Sequence, residues 1–307
     1  MVALLIPWCL LLIVFVIIVF TCKKRWKWVY VSLVVLLYIN WQYECFPLNM
    51  NITASEEGTN RLKVMSFNIG ASPKDIAQKA PQLYETITDC NPDVIFLAEF
   101  CEEDRMALDT LLRRQYPYST CTGGYAHYFY SKYPISRHKK LKEMEHEDIG
   151  VYNCIITVNK DSLLLYGCHL ASNNYTSKKQ RITPDSINSL AGVFTYFCDI
   201  RNASNRRVYE STKIIDDIRS SKPMPIILMG DLNDVGGSSV IDNLEKELNL
   251  KDAWWYGGTG YGATIHNPLP YRIDHVLYST ELRLKSISII SSKGLSDHDA
   301  LLANFTF

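Results

Sequence analysis

Six short segments of this 307-residue chain end an apolar run on a side chain that can bind a cation or move a proton. KVMSF runs into Asn68, VIFLA into Glu99 and LLLYGC into His169. IILMG runs into Asp231, with Asn233 two residues on, Ile273 precedes Asp274, and an SDHD tetrad sets Asp297 and His298 before a last apolar stretch. The ends of buried strands are where α/β folds build their sites. The set offers three or four carboxylates, two amides and two imidazoles, with no CxxC pair and no glycine-rich phosphate loop. Oxygen-rich donors suit a hard cation, Mg²⁺ or Mn²⁺, rather than zinc. The two histidines are then free for proton transfer or for holding an anion. Such a combination serves phosphoester cleavage, where charge develops on phosphoryl oxygens and a water must be aligned against the leaving group.

The elements that must carry these residues are short β-rich runs alternating with helical stretches. Strands are expected at 63–69, 93–99, 125–131, 151–159, 162–170, 225–231, 271–279, 284–291 and 300–307. Helices are expected around Ile76 to Cys90 and from Asp104 to Tyr116. Between Asn173 and Lys222 the apolar spacing of Ile187, Leu190, Ala191, Phe194 and Phe197 suits one amphipathic helix, and Val208 to Ile218 suits another. Helices between strands, together with strand pairs joined by tight turns, predict an α/β (α+β) fold of two mixed β-sheets packed face to face with helices outside.

Ahead of that domain, residues 1–43 contain no Asp or Glu. Met1 to Cys22 is apolar and long enough to cross a bilayer. A basic knot of Lys23, Lys24, Arg25 and Lys27 follows, then a shorter apolar run from Trp28 to Trp41 with aromatic residues at both ends. The charge follows the apolar run rather than preceding it, so the segment reads as a retained anchor and not a cleaved leader. The expected organisation is a membrane anchor over 1–43, a two-helix hairpin at about 3–22 and 28–42; a linker over 44–62; and a catalytic domain over 63–307. With the basic knot cytoplasmic, a hairpin sends the domain to the extracytoplasmic side, whereas a single span would leave it in the cytoplasm. Removing the four anchor cations leaves 28 Lys and Arg against 32 Asp and Glu, a net charge of about −4 that gives no global attraction for nucleic acid. The nine cysteines have neither disulfide-framework nor zinc spacing, and most read as small buried apolar residues.

NI at 68–69, FLAE ending at Glu99, GCHL, GDLND, RID and SDHDAL occur in the order seen in the endonuclease/exonuclease/phosphatase superfamily, which this chain resembles over nearly all of 63–307. The resemblance implies a four-layer fold like that of deoxyribonuclease I and a divalent-metal-dependent phosphoester hydrolase: a nuclease, another phosphodiesterase or a phosphatase. It implies Glu99 as principal metal ligand with Asn68 and Asp297 close by. Asp231 and Asn233 would orient water and phosphate. His298, held by Asp274, would act as base or phosphate contact, and His169 would bind a phosphate oxygen or assist the leaving group. AP endonucleases carry an acidic residue where this chain has Gly70, and their mid-domain catalytic Tyr has no counterpart, so a DNase-like or phosphodiesterase-like arrangement is expected instead.

Other residues have plainer readings. Asp234 is expected to cap the Gly236–Gly237–Ser238–Ser239 turn and the helix after it. His127, His138, His146, His266 and His275 match no motif and are expected to be structural or on the surface. Trp254, Trp255 and Tyr261, interleaved with glycines in AWWYGGTGYGAT, either rim the pocket and stack on a base, sugar or lipid headgroup, or pin a loop. The rival class of function is a catalytically silent, membrane-tethered binding module, but such a protein is expected to have lost Glu99, Asp231, Asn233 or His298.

Overall fold

The computed structural model describes residues 2–49, 60–70, 73–100, 105–120, 126–141, 150–173, 190–266 and 269–307. Two N-terminal helices, α1 (Ile6–Cys22) and α2 (Trp26–Tyr43), pack as a hairpin turned at the basic knot. Among the described residues, one helix, Ala3–Cys22, is long and apolar enough to cross a membrane. α2 stops where Glu44 enters the left-handed region (φ 48°) and its N–H bonds back to the Asn40 carbonyl.

The first sheet has six strands in the order β11 (Arg283–Ile290), β12 (Ala300–Thr306), β1 (Arg61–Asn68), β2 (Val94–Phe100), β4 (Ala126–Ser131) and β3 (Tyr118–Thr120). The second runs β5 (Ile135–Lys140), β6 (Gly150–Val158), β7 (Asp161–His169), β8 (Ile226–Asp231), β10 (Asp274–Ser279) and β9 (Leu250–Asp252). Both are mixed: β1–β2 and β7–β8 are parallel and the other pairs antiparallel. Their inner faces meet through Val64, Phe96, Phe129, Leu165, Met229, Val276 and Leu301, all essentially buried. The outer face of the first sheet is covered by α3 (Pro73–Cys90) and α4 (Arg105–Leu112), and that of the second by α5 (Leu190–Arg219) and α6 (Ser239–Leu248). A strand buried on both faces needs apolar residues at consecutive positions, which is why β1, β2, β7 and β8 read as unbroken apolar runs.

The expected two-sheet architecture is therefore the observed one, with differences in detail. β1 begins at Arg61, and Asn60 exchanges backbone hydrogen bonds with Phe307 (3.2 Å each), closing the domain end to end. The two helices expected between 173 and 222 are one 30-residue helix, α5. Its C-terminal half buries Ile214, Ile215 and Ile218 against the second sheet, while Phe194 and Phe197, on the apolar face of the expected amphipathic helix, are 71% and 45% exposed. Ile187 lies outside the described residues. The 45–49 stretch, expected to be plain linker, folds back on the domain: Asn49 Nδ2 donates to the carbonyls of Trp255 (2.8 Å) and Gly258 (2.9 Å), and Thr259 Oγ1 donates to the Asn49 carbonyl.

Candidate active site

Strand register puts the chemistry at one end of the sandwich. In the second sheet His169 pairs with Asp231 across β7–β8, and Asp231 with Asp274 across β8–β10, so three side chains stand in a row one strand apart. In the first sheet Asn68 ends β1 beside Ala98, and Glu99 follows at an irregularity in the β2–β4 pairing between Leu97 and Phe100. Glu99 adopts φ 53°, which turns its side chain out of the ladder and leaves it 43% exposed. Asn233 is also left-handed, at φ 51°. For side chains other than glycine this costs roughly 1–2 kcal/mol per residue, and such strain concentrates at functional sites.

The two sheets are joined by Asn68, whose Nδ2 donates to Glu99 Oε1 (2.9 Å) and Asp231 Oδ2 (3.0 Å) while its Oδ1 accepts from the Gly70 N–H (2.9 Å). The amide is thereby oriented, with its nitrogen toward the carboxylates. His169 Nε2 lies 3.2 Å from Glu99 Oε1 and 3.8 Å from Asp231 Oδ2. From the other side His298 Nε2 lies 3.7 Å from the same Asp231 oxygen, and its Nδ1 is 2.8 Å from Asp274 Oδ2. The second oxygen of Asp231 accepts the Asn233 N–H (2.8 Å), and Asn233 Nδ2 bridges to the Leu170 carbonyl (2.9 Å), tying the ends of β7 and β8 together.

The charges reinforce one another. Burial opposes ionisation of Glu99, but the hydrogen bond and charge of His169, with Asn68 and His298, hold its pKa at about 2. His169 gains in return: burial disfavours its cation, yet Glu99 and Asp231 raise it to about 9. His298 is raised to about 10, Asp274 being the largest of the carboxylates that overcome its burial. Asp231, buried beside Asp274, is pushed up to about 6 despite both histidines. Two imidazoles whose protonation is favoured thus flank a carboxylate whose ionisation is opposed.

Sequence reasoning named all of these, and the structure brings six of them, Asn68, Glu99, His169, Asp231, Asp274 and His298, together, with Asn233 directly behind Asp231. Asp297 is instead at the exposed rim, its Oδ1 3.4 Å from Ser296 Oγ. A side chain at Gly70 (φ +38°) would meet that carboxylate, so Gly70 leaves Asp297 room beside Asn68. Trp254, Trp255 and Tyr261 are not contacts of this cluster. Trp254 is buried with its indole N–H on the Gly260 carbonyl (3.1 Å), Trp255 lies in the short helix α7 (Ala253–Gly257), and Tyr261 packs 5.4 Å from Phe46. Asp234 is not the helix cap: Ser238 caps α6, and Asp234 forms a buried ion pair with Arg207 (3.1 Å).

Several supports went unassigned in the sequence. Ser296 Oγ donates to the Asn68 carbonyl (2.8 Å) and accepts the His298 N–H (3.0 Å), locking the His298 loop to β1. Thr264 Oγ1 accepts the Asp274 N–H (3.2 Å). His127 is fully buried with its ring edge-on to His169, centroids 5.3 Å apart, and burial pushes its pKa well below 6.5, so it is a neutral neighbour of the site. Nothing in the local sequence distinguishes these from ordinary strand and loop residues, although Ser296 stands inside the SDHDAL motif. His275 is structural as expected, bonded through Nδ1 to buried Asp252 (2.9 Å) alongside Arg272 (2.6 Å). His146 lies outside the described residues.

The donor set fits a divalent cation. Two groups, Glu99–His169–Asp231 and Asp231–Asp274–His298, have ligand atoms within 4.8 Å of one another and share Asp231, and Asp274 Oδ1 is buried without a hydrogen-bond partner. The cluster reaches solvent through Glu99, whose side chain is partly exposed, while Asp231 and Asp274 are buried behind it.

Two packed mixed sheets with helices outside, bearing a carboxylate–imidazole–amide cluster at one end, are the frame in which comparison with known proteins places this chain. The profile of the endonuclease/exonuclease/phosphatase family matches residues 65–298, and the chain belongs to that family. No curated protein sequence matches it. Among solved structures, truncated Caenorhabditis elegans TDP2 is 18% identical, with 80% of this chain and 98% of that one covered and a TM-score of 0.57. An endonuclease/exonuclease/phosphatase from Bacteroides vulgatus is 17% identical, with 81% and 100% covered and a TM-score of 0.62. A beta toxin structure from Staphylococcus aureus is 18% identical, with 79% and 99% covered and a TM-score of 0.58. At these identities the likeness is one of fold.

Proposed function

We propose that this protein is a membrane-anchored, divalent-metal-dependent phosphoester hydrolase. The observation that carries the reading is the convergence of Asn68, His169 and His298, from three separate segments, on the carboxylate oxygens Asp231 Oδ2 and Glu99 Oε1, with Asp274 behind His298. Glu99, exposed and ionised, would be the main ligand of Mg²⁺ or Mn²⁺, with Asp297 reaching in from the rim. The bound ion would neutralise charge developing on the phosphoryl oxygens. Asn68 would act by holding Glu99 and Asp231 at one spacing, since its nitrogen rather than its oxygen faces them.

Around the phosphate, His169 and His298 would supply cationic N–H donors to the non-bridging oxygens, His298 being fixed through Nδ1 by Asp274. Asp231, with a pKa of about 6, is the group best matched to take a proton from the attacking water near neutral pH. His169, holding a proton to about pH 9, is suited to give one to the leaving oxygen. Asn233 keeps Asp231 in place through its backbone N–H. A silent binding module has no need of this mutually ionised set.

The anchor reading gains support from the way α1 meets the domain. Ala3, at the start of the apolar helix, packs with Val235 and Ile273, and Trp8 Nε1 donates to the Tyr271 hydroxyl (3.2 Å). If Ala3–Cys22 crosses the bilayer, the domain sits on the side of its N-terminus, and the chain must return through α2. Its 18 residues rise about 27 Å, close to the thickness of a hydrocarbon core. With the basic knot cytoplasmic, residues 63–307 lie on the extracytoplasmic side, carried by the 1–43 anchor and the 44–62 connection.

The test is turnover of bis-p-nitrophenyl phosphate by the full chain in detergent, with Mg²⁺ or Mn²⁺ and with chelator. Metal-dependent hydrolysis supports the reading; none under any metal, with Mn²⁺ failing to bind, refutes it.

A further inference from the structure

The anchor does more than tether the domain: it is seated at the end of the sandwich that carries the site. Val235 and Ile273, which receive Ala3, follow Asp231 and precede Asp274 respectively. Four residues of chain span at most about 13 Å, so the start of the membrane helix lies within roughly that distance of the catalytic carboxylates. The seat is close-fitting, since a Cβ at Gly237 would strike Tyr43 and one at Gly236 would strike the Arg272 guanidinium. The connection after α2 adds to it. Phe46 packs on Tyr261, and Leu48 bridges to Thr259 with its own side chain 77% exposed.

A second apolar feature stands at the same end. Arg207, within α5, reaches the Ala171 carbonyl (2.8 Å) and Asp234, just beyond the ends of β7 and β8. α5 then runs toward the start of β8 at the opposite end, so the residues before Arg207 overhang the site end of the sheet. At 1.5 Å per residue, Phe194 stands about 20 Å beyond Arg207. This overhang exposes Phe194 and Phe197 one helical turn apart. A water-facing helix gains nothing from two exposed phenylalanines, whereas a helix lying against acyl chains does.

We infer that the end of the sandwich that carries the catalytic cluster faces the bilayer that holds the hairpin, and that the substrate is the phosphodiester of a lipid in that bilayer rather than a soluble polynucleotide. This rests on the hydrolase reading above and names the substrate for it. The domain's net negative charge of about −4 gives no long-range pull on a nucleic acid.

The experiment uses the full chain reconstituted in vesicles of phosphatidylethanolamine and phosphatidylglycerol doped with sphingomyelin. Released headgroup phosphate is followed by ³¹P resonance, with bis-p-nitrophenyl phosphate and plasmid DNA offered to the same vesicles. Expected is hydrolysis of at least one vesicle lipid, little cleavage of DNA, and a drop of tenfold or more in lipid hydrolysis for the double variant Phe194→Asp, Phe197→Asp with unchanged turnover of the soluble diester. Turnover of the soluble diester with no lipid hydrolysed, or equal lipid rates in the double variant, overturns the inference and leaves the hydrolase reading standing. Failure on the soluble diester as well takes down both.

Discussion

Replacing Asp274 by Asn separates the charge of the Asp274–His298 pair from its shape. Asp274 Oδ2 lies 2.8 Å from His298 Nδ1, and both side chains are buried. His298 keeps its proton to about pH 10 against an ordinary 6.5, a preference worth roughly 5 kcal/mol at 1.36 kcal/mol per pH unit. Burial opposes that cation, and Asp274 contributes most of what overcomes it, ahead of Asp231 and Asp297. Removing its charge should therefore leave His298 largely neutral at pH 7, so that a donor meant for phosphate oxygens becomes an uncharged ring of undefined tautomer. Loss of a positioned proton-transfer or charge-stabilising group lowers rates about 10²–10⁴-fold. Relief of the repulsion Asp274 exerts on Asp231 offsets only part of the loss, because the raised pKa of His298 stabilises the fold at pH 7 and that contribution leaves with the Asp274 charge. Thermal unfolding is thus expected some degrees below the wild-type temperature, while kcat on bis-p-nitrophenyl phosphate, measured where the variant is folded, falls by at least two orders of magnitude and its alkaline limb moves to lower pH. Near-wild-type kcat, or a melting temperature equal to that of the wild type, would refute this account of the pair.

Three further outcomes follow from the same geometry. Gly70→Ala must displace the Asp297 carboxylate and hold an alanine at φ +38°, so activity should fall while the melting temperature drops by only a few degrees, checked by kinetics beside calorimetry. Arg207→Met strands Asp234 as a buried unpaired acid, so chemical denaturation should show a loss of about 3–5 kcal/mol. Asp252 is buried, yet Arg272 and then His275 hold its pKa well below the usual carboxylate range. A depressed carboxylate stabilises fully above its unfolded value of about 4 and loses that contribution as pH falls below it. Asp252→Asn should therefore be less stable at pH 7 and flatten the acid limb of an unfolding-versus-pH profile.

Much of this was legible in the sequence because burial on two faces writes itself as unbroken apolar runs. Asn68, Glu99, His169 and Asp231 announce themselves by interrupting such runs at the strand ends. Less legible were elements whose stability comes from neighbours. β5 reads ISRHKK, a largely exposed edge strand whose charges look like loop. Phe194 and Phe197 carry a helical period that is real, but period alone does not say whether an apolar face meets protein or lipid. Asp234 looked like a cap since Asp before a turn usually is one, and its partner Arg207 lies 27 residues away. The aromatic loop at 253–264 was ambiguous for the same reason, as the segment it packs on, 46–49, lies some two hundred residues earlier. Long-range pairing of this kind leaves no local signal.

The central claim is that Glu99 holds a divalent cation beside Asp231 and that this makes the cluster catalytic. Titrating the full chain with Mn²⁺ in a calorimeter, wild type against Glu99→Gln, and following bis-p-nitrophenyl phosphate turnover on the same samples tests it most directly. The account predicts saturable binding in the wild type, affinity weakened by about 100-fold or more in the variant, and turnover lost in step. Equal Mn²⁺ affinity and equal turnover in the two proteins would contradict it.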